Sequence, residues 1–109
     1  MDTKILDDIR SLMGSGTDSI FDTDLLIHIN SFLADLTQVG VGPAQGMMAD
    51  EDTTWRQFTG NEKLFPAIRT YVYIKTRLIF DPPQSGFVTT SMQESAKELL
   101  WRINIDAES

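Results

Sequence analysis

Two adjacent prolines, Pro82 and Pro83, interrupt an apolar segment that begins near Leu64, and a second one starts only after Ser85-Gly86. A residue before proline is pushed out of the α region, and a proline inside a helix removes a backbone hydrogen bond and collides with the preceding turn. Asp81 is therefore a predicted helix terminus, and Pro83 holds Pro82 in an extended shape. The stretch Asp81-Pro82-Pro83-Gln84-Ser85-Gly86 reads as a corner between two long helices.

Before the corner, Leu64, Ile68, Tyr71, Val72, Leu78 and Ile79 recur at helical spacing. The β-branched and aromatic run Tyr71-Val72-Tyr73-Ile74 is locally compatible with a strand, but the length of the pattern favours a helix. Asn61 is the predicted cap, and Pro66 falls in the first turn, where a missing N–H costs least. Beyond the corner, Thr90 and Gln93 form a capping-box pattern, and Met92, Ala96, Leu99, Leu100 and Ile103 make the stripe of a final helix.

The N-terminal half follows the same period. Ile5, Leu6, Ile9, Leu12 and Met13 predict a brief amphipathic helix that Gly14-Ser15-Gly16 ends. Asp22 is positioned to cap a second helix, with Phe21 stapled onto Leu26 and Asp24 favoured at the positive end of the dipole. Its core stripe is Leu25, Leu26, Ile29, Phe32, Leu33 and Leu36, and Asp24, His28, Ser31 and Asp35 line the other side. Gly40 supplies a left-handed stop, and Pro43 prevents resumption.

Residues 40–52 form the longest irregular stretch, expected to be mobile in the free chain. A short helix carrying Trp55 and Phe58 follows, capped by Asp52 or Thr53 and closed by Gly60. The predicted fold is all-α: a small bundle of four main helices plus one short helix, with the long irregular loop between the second and the short one. Its 109 residues suit one domain, 1–109.

Chemistry finds little support. Cysteine is absent, which excludes disulfides, thiolate nucleophiles and cysteine metal sites. His28 is the only histidine, and a lone imidazole among exposed carboxylates reads as solvated rather than as a metal ligand or general base. Asp50-Glu51-Asp52 opens like a calcium loop, but Trp55 stands where the turn glycine belongs and the closing glutamate is displaced, leaving at most a loosely held cation. Gly14-Ser15-Gly16 lacks the lysine and hydroxyl residue of a P-loop. We expect no catalytic, cofactor-binding or metal-ligating residue, and no enzyme.

Interaction is the better expectation. A formal charge of −7 repels phosphates and argues against capture of nucleic acid, and neither a membrane span nor a secretory leader is predicted. Val41, Met47 and Met48 place apolar side chains on the loop, where a partner surface would order them. Trp55, Phe58 and Trp101 are further core or interface anchors. Arg69, Lys75 and Arg77 make a basic patch, suited to pairing with carboxylates within or between chains or to facing DNA.

Several segments, taken in order, carry a likeness: Asp22 and Asp24, Ile29-Asn30-Ser31, Gln38-Val39-Gly40-Val41-Gly42-Pro43, Trp55, Lys75 and Arg77, Phe80-Asp81-Pro82-Pro83, and Trp101-Arg102. Over about residues 5–105 the chain resembles the small phage head–tail connector proteins, the neck adaptors of tailed phages and prophages. The resemblance implies a helical subunit of a homo-oligomeric, twelve-fold ring below the portal. Such a ring contacts the portal protein and a downstream neck or tail protein, and DNA passes through it without specific binding. It implies a place in the virion neck, assembly in the host cytoplasm, and no cofactor. The alternative from a different class is a small helical regulatory adaptor that binds another protein, as monomer or dimer, through the 40–52 loop.

Overall fold

The structure, a computed structural model, describes residues 1–14 and 19–107. Five α-helices follow in order: α1 (Ile5–Met13), α2 (Asp22–Gln38), α3 (Trp55–Phe58), α4 (Phe65–Phe80) and α5 (Gly86–Ala107), with a 3-10 turn, Ser19–Phe21, leading into α2. No strand occurs among the described residues; the one β feature is an isolated antiparallel bridge between Lys4 and Thr54. The expected all-α bundle of four longer helices and one short one is what forms.

α4 is the hub. It packs most extensively on α5 and also carries α2 and α1. The predicted stripes supply the core: Ile5, Leu6 and Ile9 from α1, Leu25, Ile29, Phe32, Leu33 and Leu36 from α2, Ile68, Tyr71 and Val72 from α4, and Ala96 and Ile103 from α5. Each fully buried Leu or Ile contributes about 2 kcal/mol of transfer free energy. Leu78 is only partly covered and Ile79 is exposed, so the α4 stripe thins toward the corner.

The corner forms as predicted. Asp81 ends α4 with φ −152° and ψ 63°, its N–H bonding to Arg77 O. Arg77 Nε also donates to the Asp81 carbonyl at 3.4 Å, and the Thr89 hydroxyl donates to Pro83 O at 3.3 Å, so both helices hold the prolines. α5 begins at Gly86, four residues before the predicted Thr90 start. Ser85 is the reason: its hydroxyl accepts Val88 N–H at 3.4 Å and its carbonyl accepts Thr89 N–H at 3.0 Å.

Other termini refine the expectation. Asp22 does not cap α2; it is the first helical residue, set 3.4 Å from Arg10 Nε, and Phe21 is exposed rather than stapled. α2 ends in a Schellman arrangement, with Val41 N–H on Leu36 O, Gly40 N–H on Thr37 O, and Gly40 at φ +98°. Thr54, not Asp52 or Thr53, caps α3 in a capping box with Gln57. The Thr53 hydroxyl is instead engaged with Asp50, and Thr59 rather than Gly60 ends α3. Asn61 Oδ1 accepts Leu64 N–H at 3.0 Å, a turn before α4 proper. The predicted turn at Gly14-Ser15-Gly16 lies beyond Gly14 outside the described residues; Gly14 itself is at φ +88°.

The segment ahead of α1 is strapped along α3. Ile5 N–H bonds to Thr53 O, Trp55 N–H to Thr3 O and Arg56 N–H to Met1 O. Ion pairs Lys4–Asp52 at 3.0 Å and Arg56–Asp2 at 2.6 Å flank the strap.

Candidate functional site

Three of the predicted interface anchors are interior. Trp55 is 0% exposed, and Phe58 and Val41 are nearly as deep. Trp55 stacks edge-on against Phe65 at 5.6 Å and donates its indole N–H to Asp8 Oδ2 at 2.9 Å. Val41 is drawn inward by the Schellman turn, which sets it against the carbonyl end of α2. Spacing cannot separate a core aromatic from an exposed one on a helix of four residues, so these side chains anchor the chain itself.

The 40–52 loop is anchored at several points. Asn30 on α2 donates from Nδ2 to Ala49 O at 3.0 Å and accepts Ala49 N–H on Oδ1 at 2.7 Å, clasping the loop backbone as a strand neighbour would. Gly42, at φ +81°, lies so close to Phe58 that a Cβ there would stand 2.6 Å from Cε1 of the ring. Asp50 folds the acidic end on itself by accepting Asp52 N–H and the Thr53 hydroxyl, and those bonds hold its carboxyl below the usual range. Ala49 is buried and Met47 half-buried, while Met48 is 80% exposed. A groove of about 500 Å³ runs between this loop and the Asn30–Gln38 side of α2.

The basic patch on α4 divides. Arg69 forks onto Asp8 within the chain, with Nε and Nη2 each 2.7 Å from a carboxylate oxygen. Arg77 donates to the Tyr73 hydroxyl at 3.0 Å and braces the corner. Lys75 sits 5.7 Å from the centroid of the Phe32 ring, and among the described residues no ion pair joins it to a carboxylate. It borders a second groove, of about 420 Å³, between α4 and α5.

The face of α2 read as solvated is partly used. The Tyr71 hydroxyl donates to Asp35 Oδ2 at 2.9 Å, and burial, with Asp35 beside it, pushes the Tyr71 hydroxyl up from its ordinary value. His28 meets the Phe80 ring edge-on at 5.4 Å. Among the described residues no group of three or more His, Asp or Glu is arranged to hold a metal ion, and no described helix is long and apolar enough to cross a membrane.

The outward face of α5 is uncovered. Phe87, Glu94, Glu98, Trp101 and Ile105 share one stripe at helical spacing, with Phe87 82% and Trp101 63% exposed. The two aromatics stand about 21 Å apart along the axis at 1.5 Å per residue. Trp101 was legible as an anchor, but Phe87 was not, because a helix starting at Thr90 leaves it in the turn. Ile20 on the 3-10 turn, Ile27 on α2 and Ile79 at the end of α4 are further exposed apolar side chains.

A family model described as phage connector protein matches residues 5–109. No curated protein and no solved structure matches the chain.

Proposed function

The chain belongs to the phage connector protein family, a family of structural proteins, and we propose that it is one subunit of a ring that joins the portal of the head to the tail and continues the DNA channel. The neck of the virion is its place, after assembly in the host cytoplasm. The whole described chain acts as a single connector domain. The observation that supports assembly is the outward stripe of α5: two large aromatics, Phe87 and Trp101, stand uncovered on one helix face. Large aromatics of this kind are the side chains around which protein interfaces are built.

In this reading Met48 and Trp101 contact neighbouring subunits or the next neck component, and Lys75 and Arg77 remain the basic side chains for intersubunit pairing or the channel wall. An excess of sixteen acidic over nine basic residues favours passage of DNA over its retention. The ring is assigned twelve subunits from the sequence likeness.

Light scattering and electron imaging of the purified chain, alone and mixed with a portal protein, test the proposal. Closed rings, free or seated on the portal, are the expected result. A chain that stays monomeric or dimeric with the portal present would replace it with the regulatory-adaptor reading.

A further inference from the structure

The groove between α4 and α5 is unusual in so acidic a chain. Tyr71, Leu78, Ala96 and Leu100 line it with mostly apolar surface, Lys75 and Lys97 stand on it, and none of the described lining residues is a carboxylate. Among the described residues the ion-pair partner of Lys97 is Glu94, at 3.6 Å, in a pair whose two side chains are largely exposed. Such a pair contributes little and is readily exchanged for another carboxylate. Lys75 rests over Phe32, with no acidic partner among the described residues. The groove therefore combines apolar area with two positive charges that a visiting carboxylate can claim.

The complementary chemistry is present on the same chain, in the loop. Met48 is 80% exposed, and three residues on, Glu51 projects into solvent with Asp50 and Asp52 engaged on either side of it. The clasp by Asn30 presents this tip in a set conformation, which lowers the ordering cost of docking. Among the described residues no ion pair joins the loop to Lys75 or Lys97 within the chain. A knob on one face and a socket on another form a head-to-tail contact, the kind that closes into rings.

We propose that the α4–α5 groove receives the 40–52 loop of a second copy of this chain, with Met48 seated on the apolar lining and Glu51 paired with Lys75 or Lys97. This inference rests on the ring reading and names the contact that builds it.

Charge exchange tests it. Lys75→Glu with Lys97→Glu, and separately Glu51→Lys, should each raise the concentration needed for ring formation by about tenfold or more. Combining all three should recover much of the loss. Met48→Ala should weaken assembly with no charge change, and circular dichroism would establish that each variant is folded. Wild-type rings accompanied by unaltered assembly of the folded variants, or by a combination no better than its parents, would overturn the groove contact and leave the ring standing. Failure of the wild type to form rings, with or without portal, would overturn both.

Discussion

Asp8 and Arg69, 61 residues apart in sequence, meet in a two-pronged ion pair with both N···O distances at 2.7 Å. The carboxylate is nearly buried, with side-chain exposure of 10% against 40% for the guanidinium, and it also accepts the Trp55 indole N–H. The pair ties α1 to α4 and to the α3 aromatic. Removing the cation strands a charge away from water, and the partial exposure of Arg69 tempers the cost. Arg69→Met should destabilise the fold by about 2 kcal/mol in urea unfolding, whereas a surface change such as Lys63→Met should alter it by less than about 0.5 kcal/mol. Equal midpoints for the two variants would reject the pair as a structural tie.

Acid stability should report the same carboxylate. Burial is the largest single influence on Asp8 and raises its pKa, but the hydrogen bonds from Arg69 and Trp55, followed by the Arg69 charge, together outweigh it and hold the group below its ordinary value. As pH falls, the unfolded chain then takes up the proton first, near its ordinary pKa of about 3.9. The stabilisation is complete above that value and is lost as pH falls through the depressed folded titration. Asp8→Asn should flatten the decline of stability between about pH 5 and about pH 2. A wild-type slope retained in Asp8→Asn would assign the acid loss to other carboxylates.

The corner makes a second structural prediction. Replacing both Pro82 and Pro83 with alanine frees the unfolded chain and lets α4 run on past Asp81, with a cost of about 1 kcal/mol or more in stability and impaired assembly. Thermal melting and light scattering read the two effects. Unchanged values for both would mean that the Arg77 and Thr89 hydrogen bonds hold the exit angle without the prolines.

Gly42 combines a left-handed φ of +81° with the face of Phe58 at less than contact distance for a Cβ. Gly42→Ala adds backbone strain and a steric clash at once and should destabilise by about 2 kcal/mol. Gly46 has a similar φ of +85° but open space around it, so Gly46→Ala should suffer the strain alone. Identical losses in the two variants would remove the Phe58 contact from the argument.

Proteolysis probes the loop. With the Asn30 clasp intact, cleavage within residues 41–52 of the free chain should be slow, and Asn30→Ala should accelerate it severalfold by releasing Ala49. Fast cleavage in the wild type, unaffected by Asn30→Ala, would return the loop to the mobile element that its glycine content suggests.

Much of this architecture was legible from local rules. The corner follows from two prolines, and the α2 and α4 stripes follow from helical period, because both depend on residues a few positions apart. The cap of α3 was missed by one position because Thr53 and Thr54 are equally good caps until Asp50 claims the Thr53 hydroxyl. Asp8 was invisible beside Asp7; what distinguishes them is a guanidinium 61 residues away that no periodicity reports. Val41, Trp55 and Phe58 fit an interface as well as a core by composition, and only the packing of the loop over α3 decides which they join.

The corner also orders events in time. α4 and α5 share the most extensive helix contact and are joined by a turn short enough to close at small entropic cost, so their pairing can nucleate collapse. The strap of Met1–Lys4 against Thr53–Arg56 instead waits on a loop of about fifty residues. Changes at the Ala96 contact should then slow refolding, while changes in the strap should leave refolding alone and hasten unfolding. The strap is a latch fastened after the frame has formed, and it sets how long a folded chain persists more than how quickly one arises.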